Sequence, residues 1–80
     1  MTLAKLKSLA QARTDVGLTQ RQVAERMGVS QARVAAIEKS SPGRLELKTV
    51  AAYVAAIGGT LQLSAELRKP NGETTFYRIW

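Results

Sequence analysis

The chain has 80 residues, a net charge of +6 and a pI near 10.4, which makes it one basic domain in size. It contains neither cysteine nor histidine, so disulfides, thiolate metal sites, thiol nucleophiles and imidazole bases are all excluded. Its six carboxylates fall at no metal-ligand spacing and it has no glycine-rich phosphate loop, so an enzyme is a poor fit and no cofactor is implied.

In chain order, Thr2 is a candidate N-cap, and Leu3, Leu6, Leu9 and Ala10 recur at helical spacing. This predicts a first helix over about residues 3–15, stopped at Gly17. Thr19 caps a second helix over 20–27, Gly28 supplies a left-handed turn residue, and Ser30 caps a third helix over 31–39. The apolar or small positions Val23, Ala24, Met27, Val29, Val34 and Ile37 give each of these two helices one inward stripe. Ser40 to Arg44 reads as a loop. A fourth helix spans about 47–57, with Val50, Val54 and Ile57 inward and Ala51, Ala52, Ala55 and Ala56 on an uncharged outer face. That face reads either as plain helix propensity or as a close contact between two copies.

After Gly59 the apolar period changes to two: Leu61, Leu63, Ala65 and Leu67 alternate with Gln62, Ser64, Glu66 and Arg68. Pro70-Asn71-Gly72 is suited to a three-residue hairpin loop, and Thr74 to Trp80 forms the return strand. Counting back from Lys69 opposite Glu73 sets Leu67 against Thr75, Ala65 against Tyr77 and Leu63 against Ile79. The other face then pairs Glu66 with Phe76, Ser64 with Arg78 and Gln62 with Trp80, and makes Glu66 and Arg78 diagonal neighbours. An isolated hairpin is marginal in water, and a domain this small buries only about 60 % of its unfolded surface. A second protomer is the expected cover. The fold class is thus mostly α: a four-helix unit over 1–59 and a C-terminal β-hairpin over 60–80 that pairs across a homodimer.

Two short helices joined by a tight glycine turn form a helix-turn-helix, whose second helix enters the DNA major groove. The charge is placed accordingly: residues 1–59 hold nine basic and four acidic side chains, residues 60–80 three and two. Such an excess attracts the phosphates of double-stranded DNA. In the first turn of the third helix, Ser30, Gln31, Ala32 and Arg33 are placed to approach base edges, with Ala36 one turn on. Gln31 suits adenine, Arg33 suits guanine or a phosphate, and the alanines offer contact only to thymine methyls. This sparse surface implies modest base discrimination, helped by DNA shape. Lys39, Ser40, Ser41 and Arg44, with no acid between 39 and 45, are candidate phosphate contacts. A two-fold dimer requires a pseudo-palindromic operator with half-sites about 34 Å apart. No apolar run approaches the ~18 residues of a membrane span and the N-terminus lacks a signal-peptide core, so no membrane partner and a cytoplasmic location are expected.

Gly17-Leu18-Thr19-Gln20, Val23-Ala24, Met27-Gly28-Val29-Ser30, Val34 and Ile37-Glu38 together resemble the Xre family of helix-turn-helix repressors over about residues 4–58. The small residue, the glycine and two apolar positions fall at the fifth, ninth, fifteenth and eighteenth places of the twenty-residue unit. The resemblance implies that Gln20, at the family's second-helix glutamine, binds a phosphate. It also implies that Arg13 and Glu38 form a structural salt bridge between the first and third helices. Four helices followed by a short β element resemble the antitoxin members of the family. Tyr53 to Gly59 is similar to HigA-type antitoxins, whose toxins are RelE-like ribonucleases. The strand and terminal Trp80 are similar to HipB-type antitoxins, whose toxin is a kinase. The resemblance therefore implies a repressor that neutralises a cognate toxin and controls its own operon. A stand-alone regulator and a protein-interaction adaptor are the other readings. Leu61, Leu63, Ala65, Leu67, Phe76, Tyr77, Ile79 and Trp80 are the candidate dimer or toxin interface, with Trp and Tyr favoured as binding anchors.

Overall fold

The computed structural model describes residues 7–80, and three of its four helices start at a hydroxyl N-cap. Helix α1 is Leu9–Asp15, α2 is Gln20–Met27, α3 is Gln31–Lys39 and α4 is Leu47–Ala56; strands β1 and β2 are Ser64–Arg68 and Thr74–Arg78. The start of α1 differs from the sequence expectation. Ser8 is extended, its hydroxyl accepts from Gln11 N at 3.2 Å, and Gln11 Oε1 accepts from Ser8 N at 3.1 Å. This capping box satisfies two backbone donors at once and fixes the helix start at Leu9, not near residue 3. Thr2, Leu3 and Leu6 lie outside the described residues. Thr19 and Gln22 repeat the box at α2, and Ser30 Oγ accepts from Arg33 N at 3.0 Å at α3.

Helix α2 stops because Gly28 turns left-handed (φ 70°), so that Val29 N reaches Ala24 O at 3.0 Å and Gly28 N reaches Glu25 O at 3.3 Å. These bonds occupy carbonyls that the helix end would otherwise leave open, and they redirect the chain into α3. The segment after α3 is not plain loop: Pro42–Arg44 forms a short 3-10 turn closed by Arg44 N to Ser41 O at 2.9 Å.

The core is Val23, Ala24, Val34, Ile37, Tyr53 and Ala56, flanked by half-buried Leu9, Leu18, Met27, Leu45 and Ile57. Two expectations need correction. Val29 sits in the turn and is exposed. The inner stripe of α4 is Tyr53 and Ala56, while Val50, Val54 and Ile57 are only half-buried. The helix is rotated because the Tyr53 hydroxyl has polar partners inside, so the whole ring can be buried. Ala56 follows one turn later, where Arg26 Nη1 from α2 donates to its carbonyl at 2.9 Å. Of the alanines assigned to an outer face, Ala52 and Ala55 are exposed and Ala51 is half-buried.

The hairpin keeps its expected register, Ser64 to Arg78 through Arg68 to Thr74. Lys69 N donates to Glu73 O at 2.7 Å and Gly72 N to Lys69 O at 2.9 Å, with Gly72 left-handed at φ 88°. The ladder ends earlier than expected. Leu63 O accepts from both Ile79 N (2.8 Å) and Trp80 N (3.2 Å), so two residues face one and Gln62 does not pair with Trp80. The hairpin projects from the helices. The radius of gyration is 15.5 Å and the extents are 50 × 26 × 20 Å, against about 12 Å for a compact chain of this length. Leu63, Leu67, Phe76, Tyr77, Ile79 and Trp80 remain exposed.

Candidate nucleic-acid interface

Helix α3 divides its surface by its period. Val34 and Ile37 are buried and Glu38 is turned inward, whereas Gln31, Ala32, Arg33, Ala36 and Lys39 are exposed. The corner at Gly28 thus offers the first turn of α3 to the outside as one contiguous face. Ser30 is on it, although its hydroxyl oxygen already caps the helix. Ser41 and Arg44 are exposed in the following 3-10 segment. Ser40 is different: it is half-buried and its hydroxyl donates back to Ala36 O at 2.8 Å, which ties it to the helix end.

The inner end of α3 is held by a polar cluster that touches all four helices. Arg13 Nε donates to Glu38 Oε2 at 2.7 Å and Nη2 to Oε1 at 3.3 Å, with the side chains only 13 % and 5 % exposed. Arg13 Nη1 also donates to Leu18 O at 2.9 Å. Gln20 Nε2 donates to Glu38 Oε1 at 3.0 Å, and the Tyr53 hydroxyl donates to Glu38 Oε2. Burial by itself pushes the Glu38 carboxyl up. The hydrogen bonds from Arg13, Gln20 and Tyr53 and the Arg13 charge outweigh it and hold the group below its ordinary value. Burial, then the bond to the Glu38 carboxylate, pushes Tyr53 well above its ordinary value. At neutral pH the cluster is one anion, one cation and two neutral donors. Among the described residues no buried side-chain polar atom lacks a partner.

Two residues take places that sequence reasoning did not give them. Gln20 was expected on a phosphate; its amide here points inward and donates to the Glu38 carboxylate at 3.0 Å, a charge-assisted bond. Tyr53 was missed; its position one turn before the small Ala56 was the available signal. Beside Arg33 there is an open depression of about 290 Å³ that also borders Val29, Lys48 and Thr49. It brings a further cation, Lys48, next to the exposed face of α3. The Lys48 ammonium is 3.6 Å from Glu46, but both side chains are more than 70 % exposed and the pair holds little energy. Among the described residues no group of His, Asp or Glu could hold a metal ion, and no helix is long and apolar enough to cross a membrane.

Comparison with known proteins agrees with this geometry. The helix-turn-helix family matches residues 9–63. Two proteins of Mycobacterium tuberculosis (strain ATCC 25618 / H37Rv) are similar over 68 residues. One carries the name antitoxin HigA3, at 46 % identity over 84 % of this chain, and the other antitoxin HigA2, at 37 % over 85 %. The matched segment spans 62 % and 63 % of those two proteins, so this chain covers under two thirds of their length. Among solved structures, a chain described as "DNA bound antitoxin HigA3" superposes with a TM-score of 0.78 at 38 % identity, covering 96 % of each chain. A second, described as "Induced DNA bending by unique dimerization of HigA antitoxin", gives 0.72 at 39 % identity over 95 % of this chain and 97 % of that one. The chain belongs to the Xre-type helix-turn-helix family, as a four-helix unit followed by a β-hairpin.

Proposed function

We propose that this chain is a sequence-specific DNA-binding repressor. In this reading it is a HigA-type antitoxin that binds its own operator as a homodimer and neutralises a cognate toxin. The observation that carries the reading is the exposed first turn of α3, Ser30 to Arg33, anchored from behind by the Glu38 cluster and flanked by uncompensated positive charge. The solved relatives named for bound DNA and for dimerization support it. Gln31 and Arg33 read base edges, with Ala32 and Ala36 against thymine methyls. Lys39, Ser41 and Arg44 hold phosphates beyond the end of α3, and Lys48 adds a cation beside Arg33. Ser40 contributes by shaping the helix end, and Gln20 by setting the angle of α2 against α3. Arg13 and Glu38 serve structure, since a free Glu38 would repel phosphate.

The hairpin supplies the dimer contact. Leu63, Leu67, Tyr77 and Ile79 share one face and are exposed in the single chain, and Leu61 and Ala65 complete that apolar row. Two protomers related by a two-fold axis place their α3 helices one DNA turn apart. An electrophoretic shift with DNA from upstream of the chain's own gene tests the reading. Retardation that survives non-specific competitor supports the repressor. No retardation at low salt overturns it and favours a protein-interaction adaptor.

A further inference from the structure

We infer that Gly59 is a positioning residue. The close approach of its backbone to Val54 sets the angle between the helices and the hairpin, and with it the spacing of the two α3 helices on DNA. This role rests on the proposed dimer, in which the hairpins join the protomers and each α3 reads one half-site. Helix α4 ends in two bonds that fix where the chain leaves it. Gly58 N donates to Ala55 O at 3.0 Å and Gly59 N to Val54 O at 2.8 Å, with Gly58 left-handed at φ 92°. The bond from Arg26 to Ala56 O ties this same helix end to α2. Gly59 then passes so close to α4 that a Cβ on it would lie 3.0 Å from Val54 Cγ1, where ordinary contact begins at 3.4 Å. Its own φ is not left-handed, so space and not backbone conformation calls for glycine here. Val54 cannot readily turn aside, because a valine in a helix has one strongly preferred χ1.

The connection beyond this elbow is short. Only Thr60, Leu61 and Gln62 separate Gly59 from Leu63, whose carbonyl already accepts from Ile79 N at 2.8 Å and Trp80 N at 3.2 Å. Three residues span about 10 Å at full extension, and Leu61 is half-buried. A strap of this length has little slack, so a displacement at Gly59 passes on to the hairpin. The projecting shape enlarges it. A shift of about 0.4 Å across one Cα–Cα step of about 3.8 Å tilts the chain by about 6°. Over about 25 Å, half of the 50 Å length of the molecule, that tilt moves the far end by about 2.5 Å, and a two-fold axis doubles it to about 5 Å. The rise of one base pair is about 3.4 Å. One methyl group at residue 59 is therefore enough to move two reading helices out of step with their half-sites.

Two DNA probes test this by electrophoretic shift at low salt: the footprinted DNA from upstream of the chain's own gene, and the same DNA with one half-site scrambled. Sedimentation velocity of the full chain records the dimer. Gly59→Ala is expected to stay dimeric and to keep wild-type affinity for the single half-site, but to bind the full operator about tenfold more weakly or worse. Val54→Ala removes the carbon that the new Cβ meets, so Val54→Ala/Gly59→Ala is expected to regain the full operator. Wild-type affinity of Gly59→Ala for the full operator overturns the inference. An equal loss on the single half-site also overturns it, because the change would then have reached the reading helix itself. So does a double variant as weak as Gly59→Ala, or a Gly59→Ala chain that is monomeric. A wild type that is monomeric, or that shifts neither DNA, overturns the proposed function instead, and the positioning role with it.

Discussion

Replacing Arg13 by alanine separates architecture from DNA contact. The substitution removes two hydrogen bonds to Glu38, at 2.7 and 3.3 Å, and one to Leu18 O at 2.9 Å. It leaves a carboxylate that is 5 % exposed with only the neutral donors Gln20 and Tyr53. Breaking one side of a buried ion pair costs about 3–5 kcal/mol. The two remaining donors and the slight exposure of Arg13 put this case at the lower end, about 3 kcal/mol. In a domain of this length each kcal/mol moves the midpoint by about 4–8 °C, so Tm is expected to fall by roughly 12–24 °C. Circular dichroism melts at one fixed protomer concentration measure this, because the proposed dimerisation would link Tm to concentration. DNA affinity is then titrated against salt well below the melting range. A residue that holds no phosphate leaves the slope of log K against log salt unchanged. Near-wild-type melting together with a slope shallower by about 0.9 would refute the reasoning and make Arg13 a phosphate ligand. The double variant Arg13→Ala/Glu38→Ala adds a control: it is expected to be less destabilised than the sum of the two single changes, since the first removal already strands the second group.

The same cluster sets a pH dependence. The folded Glu38 pKa lies below its unfolded value of about 4.3, so its stabilisation is fully present above that pH and is lost as pH falls through the folded pKa; urea unfolding from pH 7 to pH 3 measures it, and Glu38→Gln is expected to flatten that acid limb. On the alkaline side the folded Tyr53 pKa is raised, so its contribution holds below about pH 10 and declines above it, a decline that Tyr53→Phe removes. Arg33→Ala is expected to cost about 1–3 kcal/mol on operator DNA and little on random DNA, whereas Arg44→Ala weakens both alike and lowers the salt slope by about 0.9; equal losses on both DNAs for Arg33→Ala would reassign it to a phosphate. Gly28→Ala is expected to cost about 1–2 kcal/mol in chemical denaturation purely through its left-handed backbone, because an added Cβ meets nothing within 4 Å; wild-type stability would mean that the corner can rearrange.

Helices α2 and α3 and the hairpin register were readable from the chain because each is fixed by local chemistry. Thr19, Gly28 and Ser30 set boundaries through their own hydrogen bonds, and Asn71-Gly72 sets a turn whose closure dictates every pair behind it. The start of α1 was misread because the leucine spacing at 3, 6 and 9 hid the Ser8–Gln11 box, a signal of equal strength six residues further on. The rotation of α4 was not legible. Periodicity ranks Val50, Val54 and Ile57 above a tyrosine, and only the three-dimensional position of Glu38 makes Tyr53 the better core residue. The same cause hid the inward role of Gln20. Its neighbours are Thr19 and Arg21 in sequence, but its partner lies eighteen residues away. The exposed residues Gln31, Ala32 and Arg33 were readable as a surface, since nothing apolar calls them inside.

In the proposed reading, anchoring and base contact fall to opposite faces of α3. Val34, Ile37 and Glu38 bear its attachment to the rest of the molecule, while Gln31, Ala32 and Arg33 bear none of it. Changes at those three positions that keep the helix therefore cost only the difference in helix propensity, and under the proposed function natural drift or deliberate grafting would retune the target sequence without a compensating change elsewhere. Under that reading, relatives with this scaffold would diverge in the DNA they choose while keeping the same core.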